Sequence, residues 1–205
     1  VWCWGRSDLG QTGRGASAPG LLPDGTPNDY PLTIRARPAL RTMGGGAYEA
    51  LGGVATVTAG EAHTCAMAAS GQSYCWGAND HGQVSDAPGG PQYVAYETSG
   101  RWPALLGLSA GGDTTCALVR EASEATLVTV RCAGANTTGQ SGGSPLGWDT
   151  YPPTNVLVPA DYLLGDTQVR VSTGKRFSCA LSFNGGAHCW GANYAGQLGD
   201  GTFLA

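Results

Sequence analysis

The most regular pattern of hydrophobic and polar positions lies between residues 171 and 202. An alternating run opens it, and two further strand-like runs, Phe177 to Leu181 and Ala187 to Gly191, are joined by turn formers at 184–186. The chain then passes through a glycine-punctuated segment, GANYAGQLGDGT, which is too rich in turn formers to continue a strand. The pattern predicts a small β-meander with a fixed exit loop.

The same unit recurs along the chain. It is repeated closely at residues 57–84, half of it stands at residues 1–13, and residues 108–141 form a degenerate copy in which Ala133 replaces a tryptophan. The second cysteine of the unit recurs at a step of about 57 residues along most of the chain. Such fixed spacing marks a repeat architecture, in which each unit buries its apolar face against its neighbours.

A further strand belongs to each unit. Pro-x-x-Val/Ile segments stand between the units, at residues 31–34, 91–94 and 153–156. Proline at the first position of a strand suits an outer strand, because it has no N–H to donate. We therefore predict an all-β fold with four strands in each repeat.

These motifs resemble a known repeat. The segments WGANxxGQLGDGT and VxAGxxHTCAL are similar to the repeat of the regulator of chromosome condensation family, here in a secreted, disulfide-containing form, and the resemblance covers nearly the whole chain. In that family seven repeats close into a β-propeller, and closure removes exposed sheet edges. The resemblance implies a partial β-propeller of four-stranded blades, with about three and a half of the seven repeats. Trp4, Trp76 and Trp190 are interpreted as blade core residues.

The chain starts inside a hairpin and stops after an exit loop. We therefore expect residues 1–205 to be one propeller section of a longer protein. Its repeats and repeat remnants lie at about residues 1–13, 31–84, 91–141 and 153–202.

Composition and charge exclude several classes of partner. The chain has 34 glycines, 12 prolines and only 13 % charged residues, without sustained helical periodicity. Its net charge is −4, and the local concentration Arg35, Arg37 and Arg41 is interpreted as a solvated strand face, so we expect no nucleic-acid partner. No apolar run in the sequence reaches the length of a membrane span.

Six of the seven cysteines fall in pairs on the two strands of a predicted hairpin. Directly opposed residues on antiparallel strands lie within or close to disulfide reach. We predict the disulfides Cys65–Cys75, Cys116–Cys132 and Cys179–Cys189, and we expect the partner of Cys3 to lie before residue 1. Zinc knuckles of the CxxC type are missing from the sequence, so we predict no metal site. Disulfides indicate an extracellular or cell-surface location.

The segments between repeats vary most, and binding usually occurs in such loops. They lie at residues 14–30, 38–53, 85–90, 97–107 and 141–152. Aromatic residues are enriched at interfaces, so we predict partner contacts at Tyr30, Tyr48, Trp102, Trp148 and Tyr151. Neutral surface elaboration and coverage of the blade faces are the alternative interpretations. Asn136 begins an Asn-Thr-Thr sequon in a loop expected to be exposed, which predicts an N-glycan; a role in turn geometry alone is the alternative.

The sequence offers no catalytic motif that we can assign. Neither a phosphate-binding loop nor a nucleophile elbow accompanies His63, His81 or His188, so we predict neither an enzyme nor a cofactor. The preferred function is a non-enzymatic extracellular interaction or structural module, whose partners are other protein subunits or domains of one assembly. An enzyme inhibitor built on a propeller, and an enzyme with its site at the propeller channel, remain alternatives.

Overall fold

The computed structural model describes residues 1–15, 20–21, 27–28, 32–122, 127–142, 149–156, 170–182 and 185–204. For the strand segments at 20–21, 27–28, 32–35, 150–152 and 155 it describes the backbone alone. Seventeen strands are present in the described ranges. They are β1 (Trp2–Arg6), β2 (Gly20–Leu21), β3 (Pro27–Asn28), β4 (Leu32–Pro38), β5 (Leu40–Thr42), β6 (Tyr48–Ala50), β7 (Val54–Ala59), β8 (His63–Ala68), β9 (Ser73–Asn79), β10 (Gly89–Glu97), β11 (Leu105–Gly111), β12 (Thr114–Arg120), β13 (Val128–Gly134), β14 (Thr150–Asn155), β15 (Arg170–Thr173), β16 (Phe177–Leu181) and β17 (Ala187–Gly191).

The strands form successive antiparallel blades, which confirms the predicted fold class. The first blade contains β1 and β4, the second contains β7 to β10 in chain order, the third contains β11 to β14, and the fourth contains β15 to β17. The Pro-x-x-Val/Ile segments at residues 91–94 and 153–156 fall in or next to β10 and β14, which are the last strands of the four-stranded set in their blades. A separate two-stranded pair joins β2 and β3.

The segment at residues 38–53, expected to be a loop, instead forms a hairpin that widens the second blade. Strands β5 and β6 pair antiparallel, and β5 lies parallel to β10, with Arg41 beside Ala95. The turn between them is a 3₁₀ segment at Gly44–Gly46, where Gly45 and Gly46 have φ of 80° and 81°. Glycine reaches this left-handed region without strain, so the glycine run that suggested a loop makes a tight turn.

The hydrophobic core lies between blades. One cluster joins the first and second blades and includes Trp76, Tyr74 and Val1. Another joins the third and fourth blades, where Val130 and Leu118 pack with Val171 and Trp190. Because each blade buries its apolar face against the next, the blades are stable as a stack and not one by one.

Each of the last three blades contains a disulfide between its second and third strands. The bonds Cys65–Cys75, Cys116–Cys132 and Cys179–Cys189 join residues that stand directly opposite each other, with Cα–Cα distances of 4.1, 4.1 and 4.0 Å. The predicted disulfides are therefore present. Cys3 is the free cysteine of the structure.

Candidate interaction surfaces

Adjacent blades are joined by a repeated set of hydrogen bonds to one backbone carbonyl. The carbonyl of Gln11, in the exit loop of the first blade, accepts from the hydroxyl of Thr64 at 3.1 Å and from the indole N–H of Trp76 at 2.8 Å. Both donors belong to the second blade. We call this arrangement the carbonyl clasp.

The clasp recurs at the other two joints. Between the third and fourth blades the carbonyl of Gln140 accepts from Ser178 at 3.0 Å and from Trp190 at 3.1 Å. Between the second and third blades the carbonyl of Gln83 accepts from Thr115 at 2.8 Å, and Ala133 stands where a tryptophan would donate. Trp76 and Trp190 are thus joint residues as well as packing residues.

Trp4 does not follow the prediction of a core position. Its side chain is 69 % exposed, although it matches Trp76, which is 0 % exposed. The reason is that Trp76 packs on the first blade, whereas in the described part of the chain no blade covers Trp4.

In three exit loops an asparagine side chain accepts hydrogen bonds from backbone N–H groups of the same loop. The Oδ1 atom of Asn79 accepts from the backbone N–H groups of Val84 and Ser85, both at 2.9 Å. Asn136 and Asn193 make the matching bonds, from Ser141 at 3.2 Å and Leu198 at 3.0 Å. Such side-chain bonds are a known way to fix turns.

The expectation that Asn136 is exposed is therefore wrong. Asn136 is 1 % exposed, because its amide is folded into its own loop. A glycan needs a solvent-facing amide nitrogen. The geometry favours the alternative given above, in which this asparagine is kept for the turn.

His63 is buried beneath the joint of the second and third blades. Thr115 donates its hydroxyl to Gln83, so His63 Nε2–H donates to Thr115 Oγ1 at 2.9 Å. The Nδ1 atom finds no partner in the described part of the structure. Burial, with a smaller effect of the Arg101 charge, lowers the pKa of His63 from 6.5 to about 4. The imidazole is therefore neutral near pH 7, and the role of His63 is structural.

The turns before the second strands and the exit loops share one end of the blades, which we call the exit-loop face. Register places His63 opposite Gly77, so the turn before β8 lies beside the loop after β9. Ionisable side chains gather here, namely Glu61, Asp80, His81, Asp113, Asp149 and Lys175. Two pairs form, with His81 Nδ1 at 2.9 Å from Asp149 Oδ2 and Lys175 Nζ at 3.2 Å from Glu61 Oε2.

Asp113 is the perturbed carboxyl of this face. Burial is the largest cause that raises its pKa, and the nearby charges of Glu61 and Asp80 add to the effect, while His81 and Lys175 oppose it. No group of three or more His, Cys, Asp or Glu side chains in the described ranges is arranged to hold a metal ion.

The outer rim of the second blade carries exposed tyrosines. Tyr48 on β6 stands opposite Thr42 on β5, and the preceding residue, Arg41, is paired with Ala95, which precedes Tyr96 on the parallel strand β10. Residues in register on neighbouring strands share a face. Tyr48 is 41 % exposed and Tyr96 is 49 % exposed. We call the row Tyr48–Thr42–Tyr96 the tyrosine rim.

The other predicted contact residues have different outcomes. Trp102 is 1 % exposed and packs with Ala117 and Val119, with the Arg101 guanidinium 5.1 Å from its ring, so the prediction of a partner contact there is wrong. Sequence could not show this, because the burial comes from the third blade folding over the loop. Tyr30 and Trp148 lie outside the described residues, as does the side chain of Tyr151.

Fold and joints together define a class of protein, a section of β-propeller in which each of the last three blades contains a cross-strand disulfide. Within that class, the chain is an RCC1-like repeat protein. Residues 54–83 and 168–197 match the family model described as the regulator of chromosome condensation (RCC1) repeat.

Known proteins of this kind are similar over much of the chain. The human probable E3 ubiquitin-protein ligase HERC3 is 31 % identical over 148 residues, which are 70 % of this chain and 13 % of HERC3. Yeast RCC1 (Prp20), solved bound to Kap60, superposes with a TM-score of 0.68 and 19 % identity over 99 % of this chain and 42 % of its own. Human WBSCR16 gives 0.69 and 17 %, over 99 % of this chain and 50 % of its own. The chain thus spans half or less of each, and the two structures establish the fold.

No helix among the described residues is long and apolar enough to cross a membrane.

Proposed function

We propose that this chain is a non-enzymatic protein-interaction or structural module of a larger secreted or cell-surface assembly. The observation that carries the proposal is the tyrosine rim. It lies where a hairpin is added to the four-stranded blade, and it exposes two large aromatic side chains, Tyr48 on β6 and Tyr96 on β10. Tyrosine is enriched in protein interfaces, where it supplies contact area at a low cost in conformational entropy.

The hairpin that carries Tyr48 is firmly anchored. Leu40 and Leu51 are 3 % and 2 % exposed. Arg41 donates to Glu49 at 2.6 Å and to the Tyr74 hydroxyl at 3.0 Å, which ties β5 to both β6 and β9. Because the backbone beneath Tyr48 is held in this way, its ring is preorganised for a partner, and little ordering entropy is lost on binding.

The disulfides support the extracellular part of the proposal. Three separate blades contain one disulfide each, and four of the six paired cysteines are fully buried. Disulfides in this number persist in oxidising compartments and are rare in reducing ones. A thiol count on denatured protein from its native source tests this. Alkylation of any of the six paired cysteines without a reductant would contradict an extracellular location.

The interaction itself is tested by crosslinking in the native source, with the double variant Tyr48→Ser/Tyr96→Ser. Tyr194→Ser is the matched control, since Tyr194 is 70 % exposed but lies in the last exit loop. We expect the double variant to lose the crosslinked protein partners that the wild type and the control both retain. Partners retained by the double variant and lost from the control would move the interaction to the exit loops and refute the proposal.

A further inference from the structure

A cleft of about 450 Å³ opens on the second blade, beside the tyrosine rim. It lies between the exit loop that follows β9 and the segment that runs from the end of β10 into the next turn. Pockets for small organic molecules have volumes of roughly 300–1,000 Å³, so the cleft is large enough for one. Its walls are Ser85, Asp86, Ala87, Tyr96, Glu97, Thr98, Gly100 and Arg101.

Arg101 supplies a buried positive charge to this cleft. Its side chain is only 4 % exposed, and its guanidinium lies 5.1 Å from the ring of the buried Trp102. Its Nη2 atom donates to the Gly82 carbonyl. Burial lowers the pKa of Arg101 from 12.5 to about 10, against the opposing effects of Asp86 and Tyr96. The guanidinium is therefore charged near pH 7 and held in a fixed position.

The guanidinium has more donors than the protein satisfies. Arginine presents a planar fork of N–H groups and has no acceptor. Nη1 of Arg101 and the indole Nε1 of Trp102 find no hydrogen-bond partner among the residues that the structure describes. Nε of Arg101 lies 2.9 Å from Asp86 Oδ1, but without the alignment of a hydrogen bond. Buried polar groups are nearly always hydrogen-bonded, so unused donors beside a cleft point to an acceptor that enters it.

Asp86 shows how an oxyanion reaches this arginine. Its side chain is 48 % exposed and lines the cleft, yet its carboxylate lies within ion-pair distance of the guanidinium. Ion pairs with an exposed partner contribute little to stability, so Asp86 can turn into solvent at a small cost. A ligand carboxylate in its place would accept two parallel N–H bonds from the fork of Arg101. Asp86 is thus an internal competitor for this position.

The other walls restrict the kind of oxyanion. Glu97 is exposed and, with Asp86, sets two negative charges against one positive charge, which disfavours a dianion such as phosphate. The hydroxyls of Ser85 and Thr98 already donate within the protein. The Tyr96 ring, which is 49 % exposed, gives the cleft an apolar wall. A singly charged ligand with an apolar body meets all of these conditions.

We propose that this cleft binds a monocarboxylate with an apolar body. Its carboxylate pairs with Arg101 in place of Asp86, and its body lies on the Tyr96 ring. Two sources present this chemistry, a free aromatic or aliphatic acid and the C-terminal residue of another chain. Binding does not depend on the protein interaction proposed above, because the charge that holds the ligand comes from Arg101 and not from the tyrosine rim.

The test is a titration of the isotope-labelled 205-residue protein with 3-phenylpropionate at pH 7, followed by NMR with its three disulfides intact. We expect the Gly100 amide and the Trp102 indole N–H to shift, while the indole N–H of Trp190, at another joint, stays unchanged. 3-Phenylpropionamide, which has the same shape without the charge, should bind at least about tenfold more weakly. Acetate, which lacks the apolar body, should also bind at least about tenfold more weakly.

Three variants test the roles of the paired charges. Asp86→Asn removes the competing carboxylate and should tighten binding of 3-phenylpropionate by at least about threefold. Glu121→Gln is the matched control, because Glu121 pairs with Arg131 at the same distance of 2.9 Å but outside the cleft, and it should leave binding unchanged. Arg101→Lys keeps the charge without the planar fork and should weaken binding at least about tenfold. If Arg101→Lys does not fold, the comparison of Asp86→Asn with its control decides the outcome.

The peptide acetyl-Ala-Ala-Phe and its C-terminal amide distinguish the two sources. Tighter binding of the free-acid peptide than of 3-phenylpropionate assigns the site to a chain terminus, and weaker binding assigns it to a free acid. Equal affinities for 3-phenylpropionate and its amide, tighter binding of inorganic phosphate, or an unchanged affinity in Asp86→Asn would each overturn the proposal. The Arg101–Asp86 pair would then be a structural pair alone.

Discussion

Replacing His63 with phenylalanine separates the role of its charge from the role of its ring. The fourth blade already contains this substitution, because Phe177 stands at the same position. Both rings lie against a glycine, and a Cβ added at Gly60 or at Gly174 would be 2.3 Å from the ring Cε1 atom of His63 or Phe177. Phenylalanine should therefore fit at position 63 without a change of backbone.

The pH dependence follows from the lowered pKa of His63. His63 binds a proton near pH 6.5 in the unfolded chain and only near pH 4 in the folded chain. The contribution of neutral His63 to the free energy of unfolding is therefore complete above pH 6.5 and is lost as the pH falls through 4. Each pKa unit corresponds to about 1.4 kcal/mol, so the full loss is about 3 kcal/mol. Near pH 7 the variant loses the hydrogen bond to Thr115, which lowers the free energy of unfolding, but it also removes the unpaired buried Nδ1 atom, which raises it. The two effects cancel to within about 1 kcal/mol.

The assay is urea unfolding followed by tryptophan fluorescence, at pH 7, 5.5 and 4, on wild type and His63→Phe with disulfides intact. Acidic groups with lowered pKa values, such as Asp8 and Glu121, destabilise both proteins in acid and cancel in the difference. We expect the variant to gain about 3 kcal/mol over the wild type between pH 7 and pH 4. His81→Asn, a change on the exit-loop face, should show no such gain. Parallel pH profiles for wild type and His63→Phe would refute the reasoning.

Three further predictions concern the joints, the disulfides and the exit-loop face. Trp76→Phe should lower the free energy of unfolding by about 2 kcal/mol, measured by denaturant titration, because it removes a clasp bond and buried volume. Replacing Cys116 and Cys132 together by alanine should cost about 3 kcal/mol in the same assay, and an unchanged midpoint would contradict this. Asp113→Asn should stabilise the protein at pH 7 by less than about 1 kcal/mol, because burial disfavours the charged carboxylate of Asp113 and raises its pKa. The gain should vanish below pH 3.8, where this carboxyl is protonated in both the folded and the unfolded chain.

Strands, blades and disulfides follow from the sequence because their signals are local or periodic. Cysteine spacing and turn residues are enough to place Cys65 opposite Cys75. The clasp has no such signal, since its acceptor is the backbone carbonyl of Gln11, which any residue would supply. Burial of Trp102 depends on a neighbouring blade, and the strands β5 and β6 have three residues each, too short for a detectable alternation.

The carbonyl clasp has an evolutionary consequence. Its acceptor is main chain, so substitutions in an exit loop leave the joint intact as long as the loop keeps its path, and that path is set by one asparagine such as Asn79. Its donors belong to the following repeat, so a duplicated repeat carries the side chains that bind it to the repeat before it. The third blade, with Ala133 in place of the indole, shows that one of the two donors is dispensable. Copies can therefore be gained and diverge freely, and the loops of such a chain are open to selection for new partners while the stack persists.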